Sequence, residues 1–169
     1  MGEYDPSLYE RRNYPAYLED YGAWITTQIE LIRNGEFDEL DIEHLLEEIE
    51  GLARSNFDAF KSAIRIVLIH MLKWDIQSDY RSRSWSVSIE GHRQRVREQL
   101  EESPSYKARL DEAVAKAYRR ARYDASKETR LPLQHFPETC PFTFDEIMTR
   151  EHHLRDRPRD DHGPEHDHE

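Results

Sequence analysis

Three groups of side chains in this chain have the types and spacing that chemistry requires. Glu43, Glu47 and Glu50 stand at i, i+4 and i+7 and so share one flank of a helix. Like charges at that spacing repel by about 0.2–0.5 kcal/mol per pair unless a cation sits among them. That cation is either an Arg or Lys, or a metal ion; with His70 as ligand or base, the set would serve a metal-dependent hydrolase. Inward-facing carboxylate sites in helical bundles draw on Glu-x-x-His, and here Val67 stands three residues before His70, so that half of the pattern is missing. The second group is Lys73, Tyr80, Arg81, Arg83 and Trp85, followed by Arg93, Arg95 and Arg97. Guanidinium groups beside aromatic rings suit phosphate contact and base stacking, or the capture of an acidic protein surface. Such arginines also cap helices and pair with carboxylates. The third is Cys140, three residues before a helix-capping Thr143 and close to His135. A helix N-terminus lowers a thiol pKa, but the setting between Thr139 and Pro141 reads as a packed thiol.

Some further residues are weaker candidates. His70 lies at the edge of an apolar helical face and His92 within one, positions where a histidine is ordinarily hydrogen-bonded inside the fold. His152, His153, His162, His166 and His168 stand among Asp and Glu, a composition that chelates metal weakly and marks no active site. There is no Gly-rich phosphate loop and no serine elbow.

The elements that must position these residues follow from apolar periodicity. A first helix spans roughly 15–34, with Leu18, Tyr21, Ile25, Ile29 and Ile32 as its core face, Pro15 in its first turn and Gly35 as its stop. A second carries Ile42, Leu45, Leu46, Ile49, Leu52 and Ala53, and continues past Gly51 or bends there. A third, 57–75, is apolar on most of its circumference and should be central. A fourth starts near Ser82 or Ser84 and packs through Trp85, Ile89, His92, Val96 and Leu100. Ser103 and Pro104 introduce a fifth, about 105–129, built on Leu110, Ala113, Val114, Ala117, Tyr118, Ala121 and Ala125. Pro132, Pro137 and Pro141 enforce an extended wrap, and Thr143-Phe144-Asp145-Glu146 has the capping-box pattern for a short last helix.

Composition agrees with this all-α reading. Charged residues make up 35% and apolar residues 37%, with 6 Gly and 8 Pro, and 169 residues suffice for one single-domain helical bundle of five major helices plus a short C-terminal one. Its expected limits are a loose arm at 1–14, a helical domain at 15–150 and a disordered tail at 151–169. The apolar run at 63–74 is too short to cross a bilayer, so no membrane partner is expected, and a single cysteine suits a reducing cytoplasm. The net charge of −11 is segregated: residues 1–55 hold 14 acidic and 4 basic side chains, and residues 56–123 hold 9 acidic and 14 basic. Either the two parts neutralise each other or the basic part is free for an acidic partner.

Several strings resemble a known family in order and spacing. They are Gly35-Glu36-Phe37-Asp38-Glu39-Leu40-Asp41, Leu46-Glu47-Glu48-Ile49-Glu50, His70-Met71-Leu72-Lys73-Trp74, Ser82-Arg83-Ser84-Trp85, Glu102-Ser103-Pro104-Ser105 and Phe136-Pro137-Glu138-Thr139-Cys140-Pro141-Phe142. Together they resemble the bacterial family catalogued as domain of unknown function twenty-nine, over about 17–148. The resemblance implies a compact all-helical protein and no particular activity. The functional expectation is a small cytoplasmic protein that binds another protein through Lys73, Tyr80, Arg81, Arg83 and Trp85, without a cofactor, and with homodimerisation open. The alternatives are the metal-dependent hydrolase with Glu43, Glu47, Glu50 and His70, and a nucleic-acid binder using the same basic face.

Overall fold

Five α-helices joined by short 3-10 turns carry residues 17–154, the part of the chain that the computed structural model describes, and no strand occurs among these residues. The arm expected at 1–14, Pro15, and the tail from 155 onward lie outside the described residues. The helices are α1 (Tyr21–Asn34), α2 (Ile42–Ile76), α3 (Arg83–Glu102), α4 (Leu110–Thr129) and α5 (Phe144–Thr149). The protein is all-α, as expected, but with four long helices and one short one instead of five and one.

The difference lies in α2. Its 35 residues join the helix expected over Ile42 to Ala53 with the one expected at 57–75, without a break at Gly51. Glycine costs a helix interior about 1 kcal/mol relative to alanine, and the good helix formers around Gly51 absorb that cost. The described residues divide at Ser55–Asn56, inside α2, into two compact units.

In the N-terminal unit α1 starts where the Asp20 carboxylate accepts from the Ala23 amide at 2.9 Å, later than the start expected near Pro15. It ends as expected at Gly35, whose φ of 77° lets its N–H reach the Ile32 carbonyl while that of Glu36 reaches Leu31, a Schellman closure. The buried face is not the expected one. Trp24 and Gln28 are fully buried, whereas Leu18, Tyr21, Ile29 and Ile32 are exposed. The reason is polar: Trp24 and Gln28 both bond to Asp41, itself buried, and this network sets the rotation of α1.

In the C-terminal unit the second half of α2 is the centre, as expected, with Phe60, Ile64, Val67, Leu68 and Met71 wholly buried. Ala113, Ala117, Ala121 and Ala125 of α4 recur every four residues and belong to the same core cluster, together with Ile89 and Val96 of α3. Alanine along one stripe allows close helix approach. The segment Pro104–Arg109, expected to begin the fifth helix, is a 3-10 turn before α4. The proline-rich wrap is held to α4 by Arg122, which donates to the carbonyls of Phe136 at 3.0 Å and Leu133 at 3.2 Å, and by the Tyr118 hydroxyl on Pro137 at 2.7 Å. Phe136 and Ile147 thereby enter the core. The capping box of α5 is present in both directions between Thr143 and Glu146. Among the described residues no helix is long and apolar enough to cross a membrane.

Continuity of α2 has a measurable consequence. A Cβ at position 51 would meet only the Arg54 side chain, at 3.9 Å. Gly51→Ala is therefore expected to raise stability by about 0.5–1 kcal/mol in urea unfolding; a neutral or negative change would mean that the helix breaks there.

Candidate functional site

The N-terminal unit contains a polar cluster that sequence reading missed. Asp41 stands just before α2 and accepts from the His44 amide at 3.5 Å, a capping geometry. Its Oδ2 accepts from Trp24 Nε1 at 3.1 Å and lies 2.8 Å from His44 Nδ1, while its own amide donates to Gln28 Oε1 at 2.8 Å. Tyr17 stacks on the His44 ring with centroids 4.3 Å apart and donates its hydroxyl to Glu48, which also accepts from Tyr21 at 3.2 Å. The bond to Glu48 pushes the Tyr17 hydroxyl up to about 12. The signal in the sequence was Asp41-x-x-His44 at a helix start. This is an orienting Asp–His pair inside aromatic walls, and it closes the interior of the unit.

The candidate metal ligands are placed differently. Glu43, Glu47 and Glu50 line an exposed flank of α2 in the N-terminal unit, and Glu50 pairs with Arg54 at 3.4 Å. His70 belongs to the C-terminal unit, where burial and then the Lys73 ammonium hold its pKa below the usual value. Among the described residues no group of three or more His, Cys, Asp or Glu is placed to hold a metal ion.

The five candidate binding residues separate into two kinds. Lys73 is buried; its ammonium donates to Glu128 at 2.7 Å and lies 4.6 Å from the centre of the Trp85 ring. Trp85 is half-buried and also faces His70. Arg81 donates through Nε to the Trp74 carbonyl at 2.9 Å, near the end of α2, and its guanidinium covers the Trp74 ring. Tyr80 and Arg83 are exposed, and no side-chain hydrogen bond or ion pair engages them among the described residues. Of the later arginines, Arg93 is buried and donates to the carbonyls of Ile147 and Arg150, satisfying the end of α5, while Arg97 pairs with Glu90 at 3.0 Å. Much of the expected basic stripe is thus engaged within the fold.

A second basic surface lies where it was not expected. α2 and α4 run in the same direction, as the pairs Arg65–Asp124 at 2.8 Å and Lys73–Glu128 show, and between them opens a cleft of about 690 Å³. Lys61, Arg65, Lys116, Arg119 and Arg120 line it, against the carboxylates of Asp58 and Asp124, with Tyr123 beside them. Lys61 pairs with Asp58 and, followed by smaller contributions from Arg120 and Lys116, holds that carboxyl below its usual pKa. Lys116 is bound to Glu112 outside the cleft. Arg119 and Arg120 form no ion pair among the described residues. The alanine stripe positions these groups: with small residues at the seam, the long side chains on the flanks of both helices meet around one concavity. The readable signal was Lys61 and Arg65 at i, i+4, and Lys116, Arg119, Arg120 and Tyr123 beside the alanines.

Cys140 is half-buried, its thiol raised by burial, with Sγ 3.4 Å from the Phe142 carbonyl. That is a packed thiol and not an activated one.

A family model matches residues 16–153. The chain belongs to the family described as domain of unknown function DUF29. No curated protein and no solved structure matches it significantly. The DUF29 match takes in His152, which is buried and meets the Trp74 ring edge-on at 5.2 Å. Neither of its ring nitrogens has a well-formed hydrogen bond, and the Arg150 carbonyl nearby already accepts from Arg93.

Burial, reinforced by the cations of Arg93 and Arg150, lowers His152 to about 4. An unfolded-state histidine titrates near 6.5, so the folded state refuses a proton that the unfolded state accepts. Stability is accordingly full above about pH 6.5, falls as pH drops from there to about 4, and levels off below, by about 3 kcal/mol in all. His152→Phe keeps the ring on Trp74 and should remove this part of the acid sensitivity; parallel pH profiles for both proteins in urea unfolding would contradict the assignment.

Proposed function

We propose that this DUF29 chain is a binding protein that takes an acidic segment of another protein in the cleft between α2 and α4. The observation that carries the reading is the pair Arg119 and Arg120, neither of which forms an ion pair among the described residues, within a concavity that holds five cations against two carboxylates. The remaining ion pairs there are of the partly exposed kind that contributes little, about 0–1 kcal/mol, and can exchange partners without much loss. Arginine and Tyr123 at the same mouth supply planar donors and an aromatic surface, both favoured at interfaces.

No nucleic-acid-binding motif occurs in the sequence, which favours protein over nucleic acid as the partner. Tyr80, Arg81 and Arg83, exposed after the end of α2, are a second candidate contact in this reading, with half-buried Trp85 and buried Lys73 supporting them. With one cysteine in the chain, the reading includes a reducing, cytoplasmic setting.

Fluorescence anisotropy with a labelled Asp- and Glu-rich peptide, alongside labelled single-stranded RNA, tests it. The acidic peptide should bind, and Arg119→Glu with Arg120→Glu should weaken it at least about tenfold, or about 1.4 kcal/mol. Unchanged affinity in the double variant removes the cleft from the binding face; tighter RNA binding with a steep salt dependence makes the partner a nucleic acid.

A further inference from the structure

α2 opens with an apolar face that the described residues leave uncovered. Ile42, Leu46 and Ile49 recur at four and three, and Leu52 extends the row; they are 62%, 54%, 63% and 62% exposed. Residues so spaced are neighbours on one helix surface, so the row makes a continuous patch about 15 Å long. In the same unit Ile29, Ile32 and Phe37 are also exposed. A run of apolar side chains of this size marks an interaction surface in most proteins.

Charge decides what the face accepts. Glu43, Glu47 and Glu50 run beside the apolar row, all exposed, and of the three only Glu50 has an ion-pair partner among the described residues, Arg54. Residues 17–55 hold 11 acidic side chains and 2 basic ones. A second copy would bring one such acidic unit against another. An anionic membrane leaflet would be repelled in the same way, because interfacial helices need cations beside their apolar face. A helix with an apolar row flanked by Lys or Arg satisfies both rows at once, in the helix-on-helix mode in which flanking charges choose the partner.

We propose that the face of α2 over residues 42–52 docks a basic amphipathic helix of a partner protein. The helix sets its apolar side chains on Ile42, Leu46, Ile49 and Leu52 and its cations opposite Glu43, Glu47 and Glu50. This surface is separate in residues and opposite in charge from the cleft between α2 and α4.

The test is isothermal titration of the intact chain with a leucine–lysine amphipathic peptide and with a leucine–glutamate peptide of the same pattern. The lysine peptide is expected to bind saturably at one site, and the glutamate peptide, titrated into the chain carrying Arg119→Glu with Arg120→Glu so that the cleft does not take it, not at all. Leu46→Gln with Ile49→Gln should weaken the lysine peptide at least tenfold. Glu43→Lys with Glu47→Lys and Glu50→Lys should abolish its binding and, in the chain that also carries Arg119→Glu with Arg120→Glu, admit the glutamate peptide. Arg119→Glu with Arg120→Glu should leave the lysine peptide unaffected, which separates this surface from the cleft. Failure of the lysine peptide to saturate, or its indifference to both sets of substitutions on α2, overturns the proposal. A dimer of the chain alone in sedimentation velocity that Leu46→Gln with Ile49→Gln converts to monomer also overturns it, by making a second copy the occupant.

Discussion

The C-terminal unit depends on the seam between the buried half of α2 and the alanines of α4. Ala113, Ala117, Ala121 and Ala125 present almost no side-chain bulk, so Ile64, Val67, Leu68 and Met71 supply most of the volume that fills the seam. A larger residue on α4 would need space that a close-packed core does not have, and such overpacking typically costs about 1–3 kcal/mol. The same seam brings the cationic flanks of the two helices together. Close packing and the basic cleft are therefore one feature seen from inside and outside: widening the seam would unpack the core and disperse the cations.

In the same unit three arginines act as donors to backbone. Arg81 serves a carbonyl near the end of α2, Arg93 the end of α5, and Arg122 two carbonyls of the proline wrap. Helix ends and extended segments leave carbonyls without backbone partners, and the guanidinium fork can satisfy two at once. Buried Arg93 shows what this demands, since among the described residues its charge is compensated by Glu90 at 3.7 Å and two carbonyl dipoles. A charge held there has a structural task, and its loss would leave the end of α5 unsatisfied inside the fold.

This explains which parts of the structure were legible from residues alone. Local signals held where one residue type satisfies one local need: Gly35 at a left-handed closure, and Thr143 and Glu146 in a capping box. The alanine face of α4 was legible because its period is unbroken. Gly51 was ambiguous, since its propensity penalty is smaller than the gain from continuing a helix whose neighbours favour it. The face of α1 was misjudged because hydrophobic periodicity assumes that apolar side chains do the burying. Here Trp24 and Gln28 turn inward to meet Asp41, and no count of apolar positions weighs a buried hydrogen-bond network. Arg81, Arg83 and Arg93 look alike along the chain, yet exposed Arg81 covers a tryptophan, exposed Arg83 has no side-chain bond among the described residues and Arg93 is buried, because what each does depends on carbonyls that only the tertiary fold brings near.

The rotation of α1 also bears on why the N-terminal unit keeps so much apolar surface. Burying Trp24 against a carboxylate places its indole N–H on Asp41, and the same carboxylate binds His44 and caps the start of α2. Three demands meet on one side chain, which leaves α1 little freedom to rotate. Turning Ile29 and Ile32 inward would bury more hydrocarbon, at roughly 25 cal/mol per Å². It would also pull Trp24 and Gln28 away from Asp41 and strand a buried carboxylate, a loss of several kcal/mol that two half-buried isoleucines do not offset. The polar network thus fixes which apolar residues stay outside. The exposure of Ile29 and Ile32 is a consequence of how this unit satisfies Asp41, and a surface kept in that state by its own interior is ready for a partner without rearrangement.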